Sequence, residues 1–179
     1  MPEKINLYAT GSTFQNFDGT NFTTAGVEAK TALGHIGLGM YAGLGSDFKD
    51  KATGVFDVKF NGNYTEDGTL GFNGRARTKL GENEHTTQYR VSPLSVNFPV
   101  CKNVRGYVTP CGVAKCDYDS NTWDYSATVF AGVTWKPNDK TSVSVEVQSY
   151  NTENAFNGSG EFSAGDNWSA NVIVSRKLN

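Results

Sequence analysis

The chain has 179 residues, a formal charge of −2, and both signs of charge scattered along its length. That size fits one domain, and the charge pattern leaves no basic footprint for nucleic acid. No stretch approaches the roughly 18–20 consecutive apolar residues of a spanning helix, and no long segment keeps apolar residues at helical spacing, so the class is all-β.

Alternating segments separated by turn residues predict ten strands, near 4–13, 22–33, 36–45, 53–64, 69–80, 86–98, 104–116, 123–135, 141–151 and 167–177. "MPEKINLYAT" runs straight into the first strand, so Met1 begins either a cytosolic chain or a mature form whose export signal is gone. Between the second and third strands, Gly34-His35 forms a two-residue turn with Gly first, the type II′ pattern. It pairs Leu33 with Ile36, Lys30 with Gly39 and Glu28 with Tyr41. Between the fourth and fifth, "TEDGT" puts Gly68 at a G1 bulge, which sets Asp57 opposite Arg77 and Lys59 near Arg75. The sixth strand is the weakest, because Pro93 and Pro99 cannot donate to a ladder, and Pro110 weakens the seventh. Cys101, Cys111 and Cys116 lack metal-ligand spacing. In an extended strand Cys111 and Cys116 lie roughly 16 Å apart, beyond disulfide reach, so they read as ordinary small residues.

The connections alternate in length. "GH", "TEDGT", "VCKNV" and "KPNDK" are short, while "FQNFDGTN", "GSDFKDKAT", "CDYDSNTW" and "NTENAFNGSGEFSAGD" are long and polar, with "GENEH" intermediate. An up-and-down antiparallel meander places alternate connections at opposite ends. The expectation is a single closed barrel over 1–179, of about ten strands (range 8–12), with both termini at the short-turn end.

Each strand has an apolar and a polar face. Phe56, Val58 and Phe60 alternate with Asp57, Lys59 and Asn61, and Val143, Val145 and Val147 alternate with Ser144, Glu146 and Gln148. A soluble calycin-like barrel would turn the apolar set inward, whereas a transmembrane barrel turns it outward to lipid. Three features favour the second. The polar face of the third strand is nearly bare, with Gly37, Gly39 and Gly43, which reads as room for long luminal neighbours such as Lys30. Tyr64, Trp123, Tyr125, Trp135 and Trp168 cluster near strand ends, as interface girdles do. Long loops also gather at one end, as in outer-membrane barrels.

On this pattern the chain resembles the small bacterial outer-membrane β-barrels, of OmpX/opacity type or oligosaccharide-channel type. "VTWKPNDKTSVSVEV", Val133 to Val147, is similar to the strand–turn–strand segment near their carboxyl ends. The chain departs from them in ending "SRKLN" rather than on an aromatic residue. The resemblance implies an outer-membrane location, with lipid bilayer or detergent as the partner.

The polar face would line a lumen with Lys30, Lys59, Arg75, Arg77, Lys79, Arg90 and Arg105 against Glu28, Asp57 and Glu146. That balance leans basic, and two readings stay open. Either the lumen is a narrow porin-like path for small polar or anionic solutes, or the charges form a network that fills the barrel. Catalytic motifs, metal spacing and cofactor signatures are absent, so neither an enzyme nor a cofactor is expected, and a rim site at His85 with Asp117 and Asp119 has little behind it. The alternatives are a soluble lipocalin- or fatty-acid-binding-like barrel holding an apolar ligand, and a surface-interaction barrel acting through its long loops, chiefly 151–166.

Overall fold

A computed structural model of the chain describes residues 4–16, 21–46, 52–82, 85–151 and 168–179. Every regular element among them is a strand: β1 (Asn6–Asn16), β2 (Asn21–Leu33), β3 (Ile36–Ser46), β4 (Thr53–Asn63), β5 (Leu70–Leu80), β6 (His85–Cys101), β7 (Val104–Asp117), β8 (Thr122–Asn138), β9 (Thr141–Asn151) and β10 (Trp168–Lys177). Each pairs antiparallel with its neighbours in sequence, and β1 pairs with β10 to close a ten-stranded barrel. At the closure, Leu178 N–H donates to the Leu7 carbonyl (2.7 Å), and the Asn179 side chain accepts from Leu7 N–H (2.8 Å). The start of β1 and the end of β10 therefore meet at the short-turn end.

The two turns that fix register behave as their chemistry requires. Gly34 has φ 60° and Gly68 φ 71°, the left-handed region where glycine carries no Cβ penalty. The hairpin registers follow: Lys30 pairs with Gly39, Glu28 with Tyr41, Asp57 with Arg77 and Lys59 with Arg75.

β6 differs from its expectation. Rather than the weakest strand it is one of the two longest, at 17 residues. Its ladder with β7 skips from Val91↔Gly112 to Val96↔Val108, so four residues of β6 face three of β7. Pro93 lies inside this bulge and Pro110 lies opposite it, where neither ring displaces a ladder hydrogen bond. Ser92 Oγ lies within hydrogen-bond reach of the carbonyls of Leu94 (3.1 Å) and Pro110, so its one proton serves an acceptor at the bulge. The extra residue also reverses parity: Thr86, Gln88, Arg90 and Ser92 face inward before it, Ser95 and Asn97 after it. β6 and β8 run further into the short-turn end than their patterns indicated, leaving only Lys102–Asn103 and Asp139–Lys140 as turns. Pro99 and Pro137 each sit at a register irregularity, which is why they do not end their strands.

The direction of the faces is unambiguous. On β3, Met40 and Leu44 are 55% and 62% exposed on the outside, while Tyr41 is 2% exposed inside. On β4, Phe56 and Val58 are exposed outside and Asp57 is completely buried inside. Val27, Leu38, Val133, Val145, Val172 and Val174 continue the outer belt around the barrel. A soluble calycin-like barrel needs these side chains inward, so that alternative is overturned. Strands of 10–17 residues reach or exceed the roughly 9–11 that cross a bilayer at a tilt.

Candidate functional site

The lumen is lined by polar side chains because every second residue of each strand points there. On β2, β4 and β5 these side chains form a ladder of ion pairs. Lys30 Nζ lies 3.0 Å from Glu28 Oε2, and Lys59 Nζ lies 2.8 Å from Glu28 Oε1 and 3.9 Å from Asp57 Oδ2. Arg77 grips Asp57 with two parallel bonds, Nε to Oδ1 and Nη2 to Oδ2, each 2.7 Å. Glu28 and Asp57 are both buried, so removing either partner would strand a buried charge at a cost of about 3–5 kcal/mol. This wall neutralises itself.

The neighbouring wall is built differently. Arg75 on β5 and Arg90 on β6 are directly opposed in register. Like charges in that position destabilise a sheet, by a fraction of a kcal/mol to about 1. Both guanidinium groups turn to a single neutral oxygen, Gln88 Oε1, at 3.3 Å from Arg75 Nη2 and 2.9 Å from Arg90 Nε. Among the described residues no carboxylate lies within ion-pair distance of Arg75, and its buried Nε has no hydrogen-bond partner. Arg90 also stacks over Phe130, 4.7 Å from the ring centroid. Across the lumen, Tyr107 OH donates to Glu146 Oε2 at 2.7 Å. A cavity of about 370 Å³ lies between these walls, lined among others by Arg75, Arg90, Asn73, Asn97, Tyr107 and Asn171.

The remaining expected lumen residues lie nearer the two ends. Lys79 sits 4.0 Å over the Phe22 ring towards the long-loop end. Arg105 reaches the short-turn mouth, where its Nη2 donates to the Asp67 carbonyl at 3.4 Å. Asp67 organises that turn: Thr69 Oγ1 donates to Oδ2 at 2.6 Å and Thr69 N–H to Oδ1 at 2.9 Å. These bonds, the hydroxyl first, hold the carboxyl down at about 2.

The aromatic residues lie on the outside at both ends. Trp123 and Tyr125 are exposed on β8 near the long-loop end and stack with each other, and Trp123 also stacks on Tyr89 (centroids 6.2 Å for each pair). Trp135 and Tyr64 are exposed at the short-turn end, and Tyr64 OH donates to the Pro93 carbonyl at 2.8 Å. Trp168 opens β10, but its side chain lies outside the described residues, as does most of loop 151–166. At the rim, His85 Nδ1 lies 2.8 Å from Asp119 Oδ1, both exposed. Among the described residues no His, Cys, Asp or Glu cluster could hold a metal ion.

Two features of the lumen escaped the sequence reading. Asn73, Asn97 and Asn171 complete the cavity wall, with Gln88 bonded to its arginines, and alternation alone would have found all but Asn97, which the β6 bulge moves to the inner face. The bare glycines of β3 make room for different neighbours, Gly37 for the Asn61 side chain and Gly43, with Gly26 of β2, for Tyr41. A β-carbon on Gly26 or Gly43 would meet the Tyr41 ring at 2.8 and 2.7 Å, whereas only Gly39 opens towards Glu28 and Lys59.

No protein-family model and no curated protein sequence matches this chain. Among solved structures, the chain is similar to the NanC porin, at 12% identity and TM-score 0.45, over 96% of this chain and all of that one. It is similar to the de novo designed barrel TMB2.3, at 13% identity and TM-score 0.44, over 99% and 96% of the two chains. The KdgM porin, solved in complex with disordered oligogalacturonate, is similar at 11% identity and TM-score 0.42, over 98% of this chain and all of that one.

Proposed function

We propose that the chain spans a bacterial outer membrane with its long-loop end outward, and that its lumen is a narrow passage for small polar or anionic solutes. The observation that carries this reading is the opposed Arg75–Arg90 pair. A barrel that only needed filling would gain from a carboxylate within ion-pair distance of Arg75, as Asp57 and Glu28 serve the next wall. Arg75 meets the neutral Gln88 oxygen instead, which supports a positive potential at this wall. Rings of basic side chains favour anions in pores, because low-dielectric walls strengthen their field. Chemistry on the solute is no part of this reading.

The test is planar-bilayer recording with refolded protein. Under a potassium chloride gradient the reversal potential is expected on the chloride side. Arg75→Gln with Arg90→Gln is expected to move it towards zero. Well-folded protein that never conducts, or a cation preference indifferent to both substitutions, would contradict the passage.

A further inference from the structure

Much of the cavity wall away from the charged groups is built of carboxamides. Asn61 and Asn73 are directly opposed on β4 and β5, and Asn97 follows on β6. Asn171 stands on β10, across the barrel from β5. We propose that the cavity is a binding site for a neutral polyhydroxylated solute, a polyol of about five or six carbons, held by these carboxamides. The inference rests on the passage reading and takes the polar rather than the anionic class of solute named there. None of the four side chains has a hydrogen-bond partner among the described residues, and Asn171 Oδ1 is buried in that state. The cavity's hydroxyls, by contrast, are committed, since Ser95 Oγ and Thr109 Oγ1 bond each other at 2.8 Å. Asn61 owes its place to a glycine. A β-carbon on Gly37 would lie 2.6 Å from Asn61 Oδ1, so its absence lets that carboxamide stand exposed in the lumen.

A carboxamide carries two N–H donors and a carbonyl acceptor, and a hydroxyl both donates and accepts. A polyol can therefore answer both halves of each carboxamide. A carboxylate only accepts and an ammonium only donates, so either leaves one half of each carboxamide unanswered. An apolar solute leaves both halves, at the desolvation cost of each group it strands. The cavity's 370 Å³ equals the liquid volume of about a dozen waters at ~30 Å³ each, which is about the number of heavy atoms in a six-carbon polyol. The site asks nothing of the cations that share the cavity. Lys59 is bonded to Glu28 at 2.8 Å, and Arg75 meets Gln88 at 3.3 Å.

The experiment is a titration of refolded, detergent-solubilised protein, isotope-labelled at asparagine, with sorbitol, followed by NMR of the side-chain amides. Hexanediol, which keeps the six-carbon chain but has only two hydroxyls, and sodium gluconate, which carries a carboxylate at one end, are the references. Sorbitol is expected to shift the Asn73 and Asn97 amides saturably, hexanediol to leave them in place, and gluconate to bind no tighter than sorbitol. Asn73→Leu, which keeps the approximate size and loses every donor and acceptor, is expected to weaken sorbitol about fivefold, read at Asn97, the scale of one neutral hydrogen bond. Asn61→Ala, at an exposed position, gives a second reading should Asn73→Leu fail to fold. Drift without saturation, an equal response to hexanediol, tighter binding of gluconate, or wild-type affinity in the folded variants would overturn the site. Saturable sorbitol binding by a barrel that neither conducts in bilayers nor admits sorbitol in liposome swelling would overturn the passage and leave the site standing. Sorbitol entry without saturable binding, unchanged by Asn73→Leu, would do the reverse.

Discussion

Tyr41 lies across two luminal glycines, Gly26 and Gly43, and its ring fills the space their missing side chains leave. The same device recurs on the outer face, where Phe60 covers Gly74, Phe72 covers Gly62 and Phe98 covers Gly106, each pair cross-strand neighbours. An aromatic ring laid over a strand glycine restores the packing that glycine forfeits. Glycines that look alike in sequence therefore tolerate change differently. A β-carbon on Gly26 would collide with the Ala42 carbonyl and lie 2.6 Å from Gly43 Cα, whereas one on Gly39 finds its nearest neighbour, Glu28 Oε1, at 3.5 Å. Gly26→Ala is expected to destabilise the barrel by about 1–3 kcal/mol and Gly39→Ala to be nearly neutral, read from unfolding midpoints in urea. Equal effects would contradict the assignment. The polar parity of these positions was legible in sequence. What occupied the space was not, because a glycine says that room exists without saying which neighbour takes it. At the short-turn mouth, Asp67 gives a pH prediction. Its carboxyl sits at about 2, below the unfolded value of roughly 3.9. The turn's stabilisation is thus complete above the unfolded value and lost as pH falls through about 2. The Thr69 amide shift should titrate with that low midpoint, and an ordinary midpoint near 3.9 would contradict the two Thr69 bonds.

Strand-level organisation shows why some of the fold was readable and some was not. The β2–β3 and β4–β5 registers follow from Gly34 and Gly68, since turn geometry and face pattern specify the same pairing. β6 reads poorly because a proline in isolation argues against a central strand. The fact that Pro93 and Pro110 lie opposite one another at a single bulge is a property of the pair, and no single-strand reading contains it. That bulge moves Asn97 to the lumen and so completes the candidate site. The bulge therefore matters more than either proline. Deleting Leu94 would restore simple alternation and turn one half of β6 inside out, sending either Arg90 or Asn97 to the outer face. Loss of folded, compact migration in unheated gels is expected for the deletion. Pro93→Ala should keep it, because no ladder bond depends on that residue. A deletion variant that still folds would contradict the role of the bulge.

For the molecule as a whole, two separate inventories account for the architecture. The outer belt, including Val27, Met40, Leu44, Phe56, Val58, Val133 and Val172, is a continuous apolar exterior. Soluble monomers rarely expose apolar patches beyond several hundred Å², so a belt of this kind implies a lipid environment. The interior holds the opposite inventory: a self-neutralising ladder on β2, β4 and β5 beside the opposed arginines of β5 and β6. Alternation in the sequence puts several basic residues on the polar face of β4 to β6. It could not disclose which cations were already paired, because pairing depends on angular position around a closed barrel. The claim beneath both inventories is that the apolar face meets lipid. The most direct measurement is folding of the purified, denatured chain with and without detergent micelles or lipid vesicles, followed by circular dichroism and gel migration. Sheet structure and compact migration are expected only when detergent or lipid is present. A monodisperse, folded barrel in detergent-free buffer would contradict it.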